Sequence, residues 1–134
     1  MTKLYLLDTN IASYVIKGSV PAVQRHIGRV PMAQLAISAI TEGELLYGVA
    51  RRPEATRLHT IVKEFLLRVS IAPWDSDVAR HYGTLRAALE RQGRPIGNLD
   101  MMIGAHALAL GAVLVTNDQA FSRIKGLKIE NWAE

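Results

Sequence analysis

Along the chain, short runs of consecutive apolar residues alternate with longer stretches in which apolar positions recur at steps of three and four. The runs LYLLD (4–8), LAIS (35–38), VSIA (69–72), AVLVT (112–116) and a terminal LKIE (127–130) are expected to be strands. Each is nearly continuous in apolar character, as strands covered on both faces of a sheet are. Leu58, Ile61, Val62, Phe65, Leu66 and Val69 mark one helical stripe, with Arg57, Lys63 and Arg68 off it. Val78, Tyr82, Leu85 and Leu89 mark another, which runs into the Gly- and Pro-punctuated loop RQGRPIGN. NLDMMIGAHALAL is expected to be a buried helix capped by Asn98. The alternation predicts an α/β fold: a central parallel sheet of four to five short strands with helices on both faces. The 134 residues are expected to form a single domain, 1–134, with one continuous core.

Composition narrows the chemistry. The chain has no cysteine, which removes disulfides, thiolate metal sites and cysteine nucleophiles together. The longest apolar stretch, Met101 to Val115, is too short to span a bilayer and contains His106. The N-terminus does not read as a secretory signal, so a cytoplasmic location without membrane attachment is expected. Sixteen Lys and Arg against twelve Asp and Glu give a net charge of +4. This surplus suits a polyanionic partner, and a merely solvated basic surface accounts for it equally well.

The acids fall at telling places. Asp8 ends the opening strand, Glu44 lies in the first turn expected after the second, and Asp118 sits two residues beyond the fourth. In a parallel sheet the strand C-termini share one edge, so these acids should meet there. Asp100, at the start of the buried helix, would have to reach that edge from a loop. Each acid has an innocent reading. Glu44 completes a capping box with Thr41, Asp100 and Asp118 favour helix N-termini, and Asp8 closes an Asx turn onto Asn10.

Collectively the acids are costly. Two carboxylates about 4 Å apart repel by roughly 4 kcal/mol at an effective dielectric near 20, and a divalent cation removes that cost. Hard oxygen ligands without cysteine or paired histidines point to Mg²⁺ or Mn²⁺. Glu42 lies about 200° around the helix from Glu44, so only one of the two can face such a site. Asp75, in APWDSD, is expected to cap the next helix. His26, His59, His81 and His106 form no zinc motif, and no nucleophile elbow or phosphate-cradling glycine loop occurs. His106 is expected to be a hydrogen-bonded core residue.

Four segments in register, YLLDTN, ISAITEGELLYGV (37–49), RQGRPIGNLDMMIGAHALALG (91–111) and LVTNDQAFSRIKGLKIENW (114–132), resemble the PIN domain, specifically the VapC toxins of bacterial toxin–antitoxin pairs. The resemblance covers essentially the whole chain. It implies a PIN-like fold and a Mg²⁺- or Mn²⁺-dependent endoribonuclease whose catalytic acids are Asp8, Glu44, Asp100 and Asp118. Its T-x-x-E-L register selects Glu44 over Glu42, and its topology brings Asp100 to the pocket. At the last position many relatives carry asparagine, so Asn117 can share the role of Asp118. Asp8, Asp100 and Asp118 are the expected metal ligands, with Glu44 a ligand through water or the base. Thr9, Asn10, Ser38, Thr116 and Asn117 are expected to support and orient the carboxylates.

The expected reaction is hydrolysis of an RNA phosphodiester, leaving a 5′-phosphate and a 3′-hydroxyl. Arg86, Arg91 and Arg94 are the leading candidates for phosphate contacts, with Arg51, Arg52 and Arg123 behind them. The resemblance further implies a structured RNA substrate, often transfer RNA, a homodimer, and a cognate VapB-like antitoxin that covers the pocket. Operator DNA would be bound only through the antitoxin complex. Two rivals from other classes are a phosphoreceiver-like signalling domain, which would want a lysine after the last core strand, and a metal-free RNA-binding module in which the acids are only caps.

Overall fold

The computed structural model describes residues 3–134. Its strands are β1 (Tyr5–Leu7), β2 (Leu35–Ser38), β3 (Ser70–Ala72), β4 (Val113–Val115) and β5 (Lys128–Glu130), all paired in parallel in the order β3-β2-β1-β4-β5. Every run expected to be a strand contains one. The helices are α1 (Thr9–Lys17), α2 (Pro21–Arg29), α3 (Ala39–Ala50), α4 (Thr56–Arg68), α5 (Ser76–Arg91) and α6 (Asn98–Leu110). Short 3-10 turns occupy Met32–Gln34 and Gln119–Arg123.

Alternation along the strands builds two cores. Leu7, Leu35, Ile37 and Val115 face one side, where Ile11, Val23, Val62 and Trp132 join them. Leu6, Ala36 and Leu114 face the other, against Leu89, Met101, Ile103 and Phe121. Burying each such side chain stabilises the fold by about 1.5–3 kcal/mol, which explains the unbroken apolar runs of the three inner strands. The edge strands differ: Ser70 in β3 and Lys128 and Ile129 in β5 are exposed. Coverage on both faces therefore holds for β1, β2 and β4 only.

Two helices, α1 and α2, have no counterpart in the periodicity. Ile11, Val15 and Ile16 are β-branched and weaken the helical signal. What starts α1 is Asp8, whose Oδ1 accepts the Ile11 amide at 2.9 Å, and what ends it is Gly18 at φ 63°. Asp75 caps α5 as expected, accepting the Val78 amide at 3.0 Å. Asn98 does not cap α6. Gly97 holds that position without a side-chain bond, and Asn98 instead accepts hydrogen bonds from Tyr82 and Arg86.

The strand order fixes where chemistry can occur. From β1 the chain moves to β2 and β3 on one side, then crosses back to place β4 on the other. The C-terminal ends of β1 and β4 therefore diverge into a crevice, the usual ligand position in such sheets. Asp8 and Thr116 end those two strands.

Candidate active site

Asp8 is buried, 4 % exposed, and both carboxylate oxygens are held. Oδ1 accepts the Ile11 amide, and Oδ2 accepts the Thr116 hydroxyl at 2.5 Å. The Thr116 oxygen in turn accepts the Asp118 amide at 3.0 Å, so the chain beyond β4 is tied to Asp8 through one hydroxyl. Asp118 caps the 3-10 turn, accepting the Ala120 amide at 2.9 Å, and is otherwise exposed.

Glu44 stands in the second turn of α3, not the first. The helix begins at Ala39, capped by Ser38 on the Ile40 amide at 3.0 Å, so the capping box Thr41–Glu44 does not form. Glu44 Oε1 accepts the Thr9 hydroxyl at 2.6 Å, and Thr9 and Thr41 share a hydrogen bond of 3.1 Å. Thr9 has one hydroxyl proton, which Glu44 takes, so Thr41 donates to Thr9. Sequence reasoning missed this relay because it read Thr41 as a cap. Glu42 lies on another side of α3, in a groove with Leu46, His59 and Lys63.

Asp100 opens α6 and is half-buried. Burial raises its pKa first, and the charges of Asp118 and Glu44 raise it further. Burial likewise raises the pKa of Asp8; the bonds from Thr116 and Ile11 oppose that, while Asp100 and Asp118 add to it. Asp8 thus feels Asp100 and Asp118, Asp100 feels Asp118 and Glu44, and among the described residues no Lys or Arg offsets these charges at Asp8 or Asp100. Among the described residues, no three Asp, Glu or His side chains are already gathered as a ligand set. The donor set, hard oxygens with uncompensated negative charge, fits a divalent cation.

The supports divide. Thr9 and Thr116 each donate to a candidate acid. Ser38 does not: it is held by the Ile40 amide and by His106 Nδ1 at 2.8 Å. Asn117 reaches Tyr14 at 3.4 Å, and Asn10 is exposed along a cleft that Glu44 also lines. Each was expected to orient a carboxylate; Ser38 and Asn117 instead tie α3 to α6 and the chain after β4 to α1. His106 is fully buried, with Nε2 lacking a partner among the described residues and Trp74 packed edge-on. Burial lowers its pKa, with Asp75 and the backbone at Pro73 opposing, and its full burial and bond to Ser38 place it in the core as expected.

The basic candidates also divide. Arg86 is occupied within the fold by Glu90, Tyr82 and Asn98. Arg123 donates to the Pro95 carbonyl at 3.1 Å. Arg91 and Arg94 are exposed at the end of α5 and in the loop before α6, and Arg51 and Arg52 line the cleft shared with Glu44.

Comparison with known proteins identifies the family and the fold. The family model described as PIN domain matches residues 5–127. The tRNA(fMet)-specific endonuclease VapC of Shigella flexneri is 37% identical over 130 residues, covering 96% of this chain and 98% of its own. Among solved structures, a chain of DNA-bound VapBC from Salmonella typhimurium superposes with a TM-score of 0.90 at 35% identity, covering 98% of this chain and 99% of that one. VapBC2 from Rickettsia felis, bound to a DNA fragment from the promoter, gives 0.87 at 36% identity over 96% and 98% of the two chains.

Proposed function

The chain belongs to the PIN-domain family, and from that premise we propose that it is the ribonuclease toxin of a toxin–antitoxin pair, a metal-dependent endoribonuclease with Asp8, Glu44, Asp100 and Asp118 as its catalytic acids. The observation that carries this reading is the buried Asp8 carboxylate at the crevice between β1 and β4, tied through the Thr116 hydroxyl to the Asp118 turn and within electrostatic reach of Asp100, which is in turn within reach of Glu44. Relatives named as ribonucleases over nearly the full length support the reaction class. The family match sets aside the phosphoreceiver alternative, which the segment Thr116–Asn117–Asp118 also disfavours by offering no lysine.

Asp8, Asp100 and Asp118 would hold Mg²⁺ or Mn²⁺, which supplies charge neutralisation of the scissile phosphate and a more acidic water. The chain's own part is orientation. Asp8 is fixed by the Ile11 amide and the Thr116 hydroxyl, which leaves a lone pair on each oxygen directed elsewhere. Glu44, held at Oε1 by Thr9, keeps Oε2 to take the proton of an attacking water. Thr116 sets the start of the Asp118 turn, so one hydroxyl registers two acids.

The substrate is an RNA with an exposed loop, transfer RNA being the class named for the Shigella relative. A cognate antitoxin covers the pocket and operator DNA is bound through that complex; the DNA-bound VapBC assemblies among the structural relatives support a partner of this kind. The working form is a cytoplasmic homodimer. Among the described residues no helix is long and apolar enough to cross a membrane.

The deciding experiment incubates bulk transfer RNA with the purified protein and Mg²⁺, with EDTA, and with Asp8→Asn. Cleavage is expected in the first case alone. Cleavage that persists in both EDTA and the variant would sink the metal mechanism.

A further inference from the structure

An RNA strand brought to four acids needs positive charge and base contacts close by. Arg51, Arg52 and Lys17 line a cleft of about 270 Å³ whose wall also includes Thr9, Glu44 and Gly48. The cleft runs from a candidate catalytic carboxylate to three cations.

Helix α3 forms one side of it. Tyr47, Gly48 and Arg51 follow Glu44 by three, four and seven residues, which sets all of them within about 60° of it around the helix. Tyr47 is 65% exposed, unusual for an aromatic side chain, and the Arg51 guanidinium carbon stands 5.4 Å from its ring centroid. A Cβ built on Gly48 meets nothing within 4 Å, so this turn of the helix is open. An exposed aromatic ring with a guanidinium against it is the pairing on which unstacked bases are held.

We propose that Tyr47 and Arg51 form a nucleotide subsite beside the acids: Tyr47 stacks an unpaired base adjacent to the scissile phosphate, and Arg51 with Arg52 and Lys17 holds the phosphates that follow. The subsite rests on the ribonuclease reading above and specifies how the RNA enters. The cleft joins apolar walls of Ile16, Leu45, Val49, Leu58 and Val62 to a charged rim that is cationic beyond Glu44, and that cationic rim beside an exposed aromatic ring favours RNA over a protein ligand. The apolar exposed Leu46 belongs to the other groove, with Glu42.

The test reads binding apart from cleavage. A fluorescein-labelled single-stranded RNA of about ten nucleotides is titrated in EDTA, and folding of every variant is checked by circular-dichroism melting. Tyr47→Ala weakens affinity about tenfold, whereas Tyr47→Phe, which keeps the ring, weakens it less than about twofold. Arg51→Ala lowers affinity and reduces the salt slope by about one. Gly48→Met fills the cleft and weakens binding while keeping both the Tyr47 ring and the Arg51 guanidinium. Wild-type affinity in both Tyr47→Ala and Gly48→Met overturns the subsite, as does absence of RNA binding by the wild type. Loss of antitoxin binding with RNA affinity intact assigns the face to a protein and overturns it equally. RNA binding that depends on Tyr47, with no Mg²⁺-dependent cleavage of bulk transfer RNA, leaves the subsite standing and removes the ribonuclease reading.

Discussion

Thr116 donates its hydroxyl to Asp8 Oδ2 across the ends of β4 and β1, linking residues 108 positions apart in sequence. Both groups are buried, Thr116 at 1% and Asp8 at 4% exposure, so the bond takes the place of water lost from that side of the carboxylate. Removing one partner of a buried pair leaves the other unsatisfied, at a cost of about 1–3 kcal/mol. Thr116→Val, equal in shape, should lose about that much stability and also release the Asp118 amide from its acceptor. Thr116→Ser should restore most of it. Urea denaturation of the two variants checks this, and a Val variant as stable as the wild type would show that the bond contributes nothing.

Glu44 and Glu42 separate function from surface. Glu44 is oriented by Thr9, while Glu42 faces a groove that contains none of the other acids. A positioned base accelerates proton transfer by about 10²–10⁴-fold. Glu44→Gln should therefore cut Mg²⁺-dependent RNA cleavage by about 10²-fold or more, and Glu42→Gln by less than about twofold. Thr9→Val should fall between them, because it removes the donor and leaves the carboxylate free to turn. Rates on one RNA substrate at saturating Mg²⁺ decide it, and the reverse order for Glu42 and Glu44 would refute the helix-face assignment.

Asp8 and Asp100 both hold pKa values raised above the ordinary carboxylate value of 3.8, burial being the largest cause for each. Between that value and the raised one, the folded state binds more protons than the unfolded state. Stability therefore falls as pH rises through this window and is greatest below it. In EDTA, melting temperatures should drop as pH climbs above about 4 through this window, and Asp100→Asn should flatten that slope. Mn²⁺ added near neutral pH should raise the melting temperature by mass action, and less so in Asp100→Asn. A wild-type slope identical to that of Asp100→Asn, with no response to Mn²⁺, would dissociate these acids from one another and from any ion.

Strands were the legible part of this fold. Each inner strand is buried on both faces, and that requirement writes itself into an unbroken apolar run such as Leu35–Ser38. Helix α1 left no such mark because its start is specified by Asp8, the residue just after β1, and three of its apolar positions, Ile11, Val15 and Ile16, are β-branched. At the site, strand ends located Asp8 and Asp118 from the sequence alone. Glu44 was placed with them, and the family pattern only chose it over Glu42; Asp100 needed the family topology, and the starts of α3 and α6 both differ by a residue or more from what local caps suggest. The pairings of Thr9 with Thr41 and of Ser38 with His106 were illegible for the same reason: they are contacts between elements, set by packing.

Gly104 decides how closely the turn carrying Asp118 approaches α6. A Cβ at this position would lie 2.5 Å from Ile124 Cδ1, with Phe121 ring atoms at 3.7 and 3.8 Å behind it. Phe121 lies within that turn and Ile124 follows it, and both are buried in the core on the α6 side of the sheet. Gly104→Ala requires only the far methyl of Ile124 to move, and replacing glycine inside a helix gains up to about 1 kcal/mol, so the variant should be close to neutral. Gly104→Val adds two more methyl groups where one is already too near, and overpacking of that kind costs about 1–3 kcal/mol. The turn must then shift outward, which carries Asp118 away from Asp100 and should weaken Mn²⁺ binding several-fold. Denaturation curves and Mn²⁺ titrations of the two variants check the pair of effects together. A Val variant with wild-type stability and undiminished Mn²⁺ affinity would mean that the turn can repack without moving the acid.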